Sequence, residues 1–142
     1  MQQGLWKKLN LKEQSTIAII NAPEEFSPFY SELNNVRVED SLINAKQLNF
    51  FVVFTKSKAE VEYFTNEMIA HTLGDCVVWF AYPKASSKRY SCDFNRDNGW
   101  GSLKNIGFSG VRQVAINEDW SALRFRRAEF IKSKSRLQKI IN

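Results

Sequence analysis

Thr16-Ile17-Ala18-Ile19-Ile20-Asn21-Ala22-Pro23-Glu24-Glu25 is the stretch that decides the fold of this chain. Its first five residues are apolar or β-branched with no polar interruption, the pattern of a strand covered on both faces. The run breaks at Asn21-Ala22-Pro23, where Pro23 is placed to open a helix. In a nucleotide-binding α/β protein this strand-to-helix turn carries glycines, which let bare backbone approach a pyrophosphate or a methionine carboxylate. Here no glycine occurs between Gly4 and Gly74. Pro23 withholds one N–H, and Glu24 and Glu25 bring negative charge to the start of the helix. The stretch therefore reads as a Rossmann-like turn that repels an ordinary anionic ligand.

Outward from this turn, upstream Leu5, Trp6 and Leu9 stand at helical spacing. Downstream, Phe26, Phe29, Tyr30 and Leu33 repeat as one buried helical face that Asn34-Asn35 ends. A brief strand at 36–39 precedes a second buried strand at 48–54, Leu-Asn-Phe-Phe-Val-Val-Phe. Ser57 and Glu60 form an S-x-x-E capping box, Val61, Phe64, Met68 and Thr72 line the helix it opens, and Gly74 reads as its stop. Another apolar strand covers 76–82 and closes at Pro83. A polar stretch at 84–98 leads to a short helix at 100–106. Two strand-like runs, 111–116 and 120–126, are joined by Asn117-Glu118-Asp119, a link short enough for an antiparallel hairpin. Strands alternating with helices and closing on a hairpin predict a three-layer, Rossmann-like α/β fold. Its open sheet is mostly parallel, with one antiparallel strand near an edge.

The chain has 142 residues and a formal net charge of +5. That length suits one domain with a core needing neither disulfide nor metal. Cys76 and Cys92 are too far apart for a Cys-x-x-Cys motif, and with the single histidine, His71, they argue against a zinc site. No apolar run is long enough for a secretory signal or a membrane span, so a cytoplasmic protein is expected. From Arg124 onward seven basic residues face one acid, Glu129, so the charge belongs to the C-terminal segment. The expected organisation is a domain over 1–127 and a basic tail or helix over 128–142.

This layout resembles the S-adenosylmethionine-dependent methyltransferases, shortened by a strand-helix unit and without their glycine motif. Asn21-Ala22-Pro23, Trp79-Phe80-Ala81-Tyr82-Pro83-Lys84, Arg96-Asp97-Asn98-Gly99-Trp100 and the run from Arg112 through Asn117-Glu118-Asp119-Trp120 to Phe125 stand in this order. Together they resemble a family of small bacterial proteins known only as a domain of unknown function. That resemblance spans the chain nearly to Arg126 and implies a Rossmann-like domain with no assigned activity.

Ligands of open α/β sheets bind beyond the carboxyl ends of the parallel strands. Those ends supply Asn21, Glu39, Asp40, Thr55 and Lys56, and the loop Lys84, Ser86, Ser87, Lys88, Arg89, with Asp93, Arg96 and Asp97 following. The loop's cations and hydroxyls suit an anionic small molecule, or are a solvated surface in which Arg96 pairs with Asp93 or Asp97. Glu39 or Asp40 suits a ribose, or simply faces water. Trp100 and Trp120, with Trp79, Phe94 and Phe108, form either an aromatic platform or core. Cys92, Ser86 and Ser87 find no base, because His71 lies at the opposite end of a strand, about 20 Å away. Arg126, Arg127, Lys132, Lys134, Arg136 and Lys139, interleaved with Phe130, Ile131 and Leu137, suit nucleic acid, an acidic partner or an anionic membrane surface. The function expected from sequence is a non-catalytic, degenerate nucleotide-binding domain acting as a binding or accessory module, without cofactor and more readily not an enzyme. The alternatives are an enzyme or binder for an anionic small molecule at the Lys84 to Asp97 loop, and nucleic-acid binding through the tail.

Overall fold

The computed structural model of the chain describes residues 4–42 and 47–131. Six strands form one sheet in the order β2-β1-β3-β4-β6-β5: β1 (Thr16–Ile20), β2 (Arg37–Glu39), β3 (Leu48–Phe54), β4 (Thr72–Pro83), β5 (Phe108–Ala115) and β6 (Trp120–Arg127). β1 pairs in parallel with β2 and β3, and β3 with β4. β6 is antiparallel to both its neighbours, β4 and β5, so one reversed strand lies next to an edge. Among the described residues the α-helices are α1 (Leu5–Lys8), α2 (Lys58–Ile69) and α3 (Gly101–Asn105). Among the described residues, no helix is long and apolar enough to cross a membrane.

Both faces of the central strands are buried, because successive side chains of β1, β3 and β4 point alternately into two cores. On one face Ala18, Phe51, Val53, Val78 and Phe80 pack with Val61 and Met68 of α2 and Leu103 of α3. On the other, Ile17, Ile19, Phe50, Val52 and Trp79 pack under Leu5, Trp6 and Leu9. Trp79 is fully buried and donates its indole N–H to the Leu9 carbonyl at 2.8 Å, which ties α1 to the sheet centre. Burying an indole without that acceptor would leave a donor unsatisfied.

Three local expectations change. The segment after Pro23 is a 3₁₀ helix, Glu24–Glu32, with Pro28 inside it. Proline removes a helical donor and collides with the carbonyl four residues back, so the chain takes the tighter turn. α2 ends at Ile69, well before Gly74, which sits at φ +61° in the irregular first part of β4. β4 consequently begins at Thr72, four residues earlier than its apolar run suggests. Ser57 caps α2 as the box implies, its Oγ accepting from Glu60 N at 3.1 Å, while the Glu60 carboxylate reaches one residue further back and accepts from Lys56 N at 2.5 Å.

Candidate functional site

The turn after β1 is left-handed despite having no glycine. Asn21 takes φ +61°, the conformation asparagine adopts at least cost among residues with a side chain. Its Nδ2 donates to the Phe54 carbonyl at 2.9 Å, which fastens the end of β1 to the end of β3. The turn forms without glycine, and a cleft remains beside it. Asn21 lines two clefts at this edge.

The larger cleft, about 780 Å³, is walled by Ala22, Glu24, Glu25, Lys56, Arg89, Tyr90 and Trp120. Glu25 is its organising group. It accepts hydrogen bonds from the Tyr90 hydroxyl and, at 3.2 Å, from Trp120 Nε1, and Arg89 lies 3.8 Å away. Burial alone would raise its pKa, but the bonds from Tyr90, its own backbone and Trp120, with the charge of Arg89, hold it below the usual carboxylate range. The same bond to Glu25, with burial, pushes the Tyr90 phenol up. At neutral pH the cleft thus holds an anionic Glu25 and a neutral Tyr90. The expected repulsion of anions is blunted, because Glu25 is turned into a network of donors. Lys56 Nζ and the Arg89 guanidinium each lie 5.5 Å from the centre of the Tyr90 ring, a cation–π arrangement that sets two positive charges on one wall.

The smaller cleft, about 310 Å³, lies on the other side of Asn21, between Asp40, Leu42, Tyr63, Phe64 and Glu67. Tyr63 and Phe64 meet edge to face at 5.1 Å, and Tyr63 is more than half exposed. Asp40 stands just beyond the end of β2, where an acid meets ribose in Rossmann-type sites.

Of the residues that sequence nominates, Asn21, Lys56, Arg89 and Trp120 line the larger cleft, and Asn21 and Asp40 the smaller. Several of the loop's other polar groups are taken by bonds to neighbouring parts of the fold or to one another. Ser87 Oγ donates to Asp119 at 2.8 Å, Asp93 accepts from Lys58 N at the start of α2 at 2.8 Å, and exposed Arg96 pairs with Asp97 at 3.4 Å. Lys84 donates its backbone N–H to the Asp119 carbonyl, and Ser86 is exposed. Trp100 is core, its indole N–H shared between the Asn95 and Arg96 carbonyls at 3.0 Å. Gly99, at φ +92°, passes so close to Phe94 that a Cβ there would come within 2.6 Å of it. The aromatic platform does not form either, since Trp79, Trp100, Trp120, Phe94 and Phe108 are all buried. Arg126 and Arg127 are committed to Asp75 and to Gly74 and Thr72 respectively, while Lys132, Lys134, Arg136 and Lys139 lie outside the described residues. Both cysteines are free thiols, and among the described residues no group of histidine, cysteine and acidic side chains is set to hold a metal. Tyr90 was missed because it follows a run of charges and carries no motif. The only signal was that it is the one aromatic residue between Pro83 and Cys92.

No family model and no curated protein matches the chain significantly. Solved structures do. A SAM-dependent methyltransferase from Aquifex aeolicus is 14% identical with a TM-score of 0.59, the alignment covering 87% of this chain and 88% of that one. The fold is that of the methyltransferases. N-methyltransferase NodS from Bradyrhizobium japonicum WM9, solved with S-adenosyl-L-homocysteine, is 12% identical with a TM-score of 0.55 over 87% of this chain and 83% of that one. A putative type 11 methyltransferase from Sulfolobus solfataricus is 7% identical at 0.53, over 87% and 89%. These neighbours overturn the expectation of a non-catalytic, degenerate accessory domain and of a chain more readily not an enzyme. All three are named for methyl transfer, and the turn that lacks glycine is built by Asn21 instead.

Proposed function

We propose that this chain is a methyltransferase that takes S-adenosylmethionine at the carboxyl edge of its sheet and methylates a small acceptor carrying an acidic group. The observation that carries the reading is the pair of clefts meeting at the left-handed Asn21 turn, in a fold shared with methyltransferases. Their volumes fall in the range of sites for small molecules.

The residues fit such a donor. Asp40 offers a carboxylate to a vicinal diol, and Tyr63 and Phe64 offer apolar faces to a purine. Glu24 and Glu25 set negative potential toward an ammonium and a sulfonium, so the acids that argue against a pyrophosphate argue for a cation. Bound there, S-adenosylmethionine supplies a methyl group made electrophilic by a positively charged sulfur. The chain's part is to hold the two reactants in line and to keep water away from them. Lys56 and Arg89, steadied over the Tyr90 ring, form the wall that attracts an anionic acceptor. Tyr90 and Trp120 keep Glu25 ionised and immobile, which preserves the field across the cleft.

Isothermal titration of the chain with S-adenosylhomocysteine tests the reading. We expect saturable binding that weakens about tenfold or more in Asp40→Ala, which removes a charged hydrogen-bond acceptor. Absence of binding to both S-adenosylhomocysteine and S-adenosylmethionine at millimolar concentrations overturns it.

A further inference from the structure

The second feature lies on the face of the sheet that carries Trp79 and Trp120, displaced toward the amino end of β4. Arg124 of β6 stands opposite Trp79 on β4 and opposite Arg112 on β5, so two arginines face each other across a strand pair. Arg126 follows two residues on and therefore shares their face. Like charges directly opposite one another are destabilising in a sheet, and here the described residues supply little to offset them. Asp75 is the acid at hand, and it is taken by Arg126 through two bonds of 2.7 and 2.6 Å. The Arg124 side chain makes no hydrogen bond or ion pair with any described residue. Its Nε is sealed from solvent without an acceptor, while the side chain as a whole stays partly exposed. Burial, Arg126 and Arg112 all work against its charge, with Asp75 on the other side of the balance. Arg112 is exposed at the surface beside Arg124.

A half-buried guanidinium with unused donors, flanked by two more, is a costly arrangement for a protein to keep unfilled. We infer that Arg112, Arg124 and Arg126 form a binding site for a phosphate oxyanion, with Arg124 as its centre and Asp75 fixing the orientation of Arg126. Guanidinium forks match phosphate geometry in a way that a lysine cluster would not. The site is separate from the proposed methyl-transfer cleft: along β6, Arg124 lies four residues from Trp120, about 13 Å at the usual rise. The phosphate can belong to a free phosphorylated compound or to a nucleic-acid backbone, and the two sources are distinguished by experiment.

The test compares the full chain with Arg124→Met and Arg112→Gln, using inorganic phosphate, pyrophosphate and a short single-stranded oligonucleotide as probes against chloride at equal ionic strength. Wild type is expected to gain melting temperature with phosphate or pyrophosphate. Arg124→Met is expected to melt higher than wild type in chloride, because an uncompensated charge is gone, yet to respond to phosphate at least about tenfold more weakly. Tighter binding of the oligonucleotide than of pyrophosphate assigns the site to a phosphodiester backbone, and the reverse assigns it to a free phosphate compound. A phosphate response identical in wild type and Arg124→Met, or lost equally in the distant surface variant Lys104→Gln, overturns the site. Arg112→Gln guards against misfolding, since that residue is exposed: an unchanged response in it as well as in Arg124→Met also counts against the proposal.

Discussion

Glu25 and Arg124 are both partly buried charges, and the protein treats them in opposite ways. Glu25, at the carboxyl edge, receives a hydroxyl and a guanidinium from the adjacent Tyr90 and Arg89, and an indole N–H from distant Trp120. Arg124, toward the other end of the sheet, has no acceptor among the described residues and has cations on two sides. A charge whose partners are all intramolecular is a fixed part of the scaffold, and its field is available to a ligand without reorganisation. A charge left without partners keeps its desolvation cost until something from outside meets it. The same face of one sheet thus carries one charge met by partners within the chain and one that has none among the described residues.

The comparison breaks most visibly at Glu25. Glu25→Ala strands the Tyr90 hydroxyl, the Trp120 indole and Arg89 together, and should cost about 3 kcal/mol in denaturant unfolding. Because its folded pKa is depressed, the stabilisation is present above the unfolded-state value and is lost as pH falls through the folded one. The difference between wild type and Glu25→Gln should therefore be full at neutral pH and shrink below about pH 4. Next in size is Asn21→Val, which forces a β-branched residue to a positive φ and removes the bond to Phe54. A loss of about 2 kcal/mol is expected, whereas Asn21→Gly should forfeit only the hydrogen bond. Arg124→Met sharpens the contrast by moving the other way, with a gain of about 1 kcal/mol in the absence of any oxyanion. The smallest effect is expected for Asp75→Asn. Its bond with Arg126 holds its pKa down, against the effect of burial, but both partners are about a third exposed, so solvent screening leaves less than about 1 kcal/mol.

Most of the sheet was legible in the residues. The runs at 16–20 and 48–54 coincide with β1 and β3, because runs dominated by β-branched and aromatic residues need cover on both faces and find it inside a parallel sheet. The capping box at Ser57 was equally local. The 3₁₀ helix was not read, because the spacing of Phe26, Phe29, Tyr30 and Leu33 hides what Pro28 does to the hydrogen bonds. The loop at 84–98 looked rich in ligand groups because its charges are dense, yet Ser87 and Asp93 are spent on Asp119 and on the start of α2. The Asn21 turn was judged by its lack of glycine, although asparagine reaches the same backbone conformation.

By itself the sequence determined which segments are strands, which faces they bury and where α2 begins, since each follows from periodicity or from residues a few positions apart. Only the tertiary structure decided the sites. Tyr90 and Trp120 reach Glu25 across 65 and 95 residues, and Arg126 reaches Asp75 across 51. Such meetings depend on the order and register of strands, and that order is set by how the two cores pack, not by any local pattern in the chain.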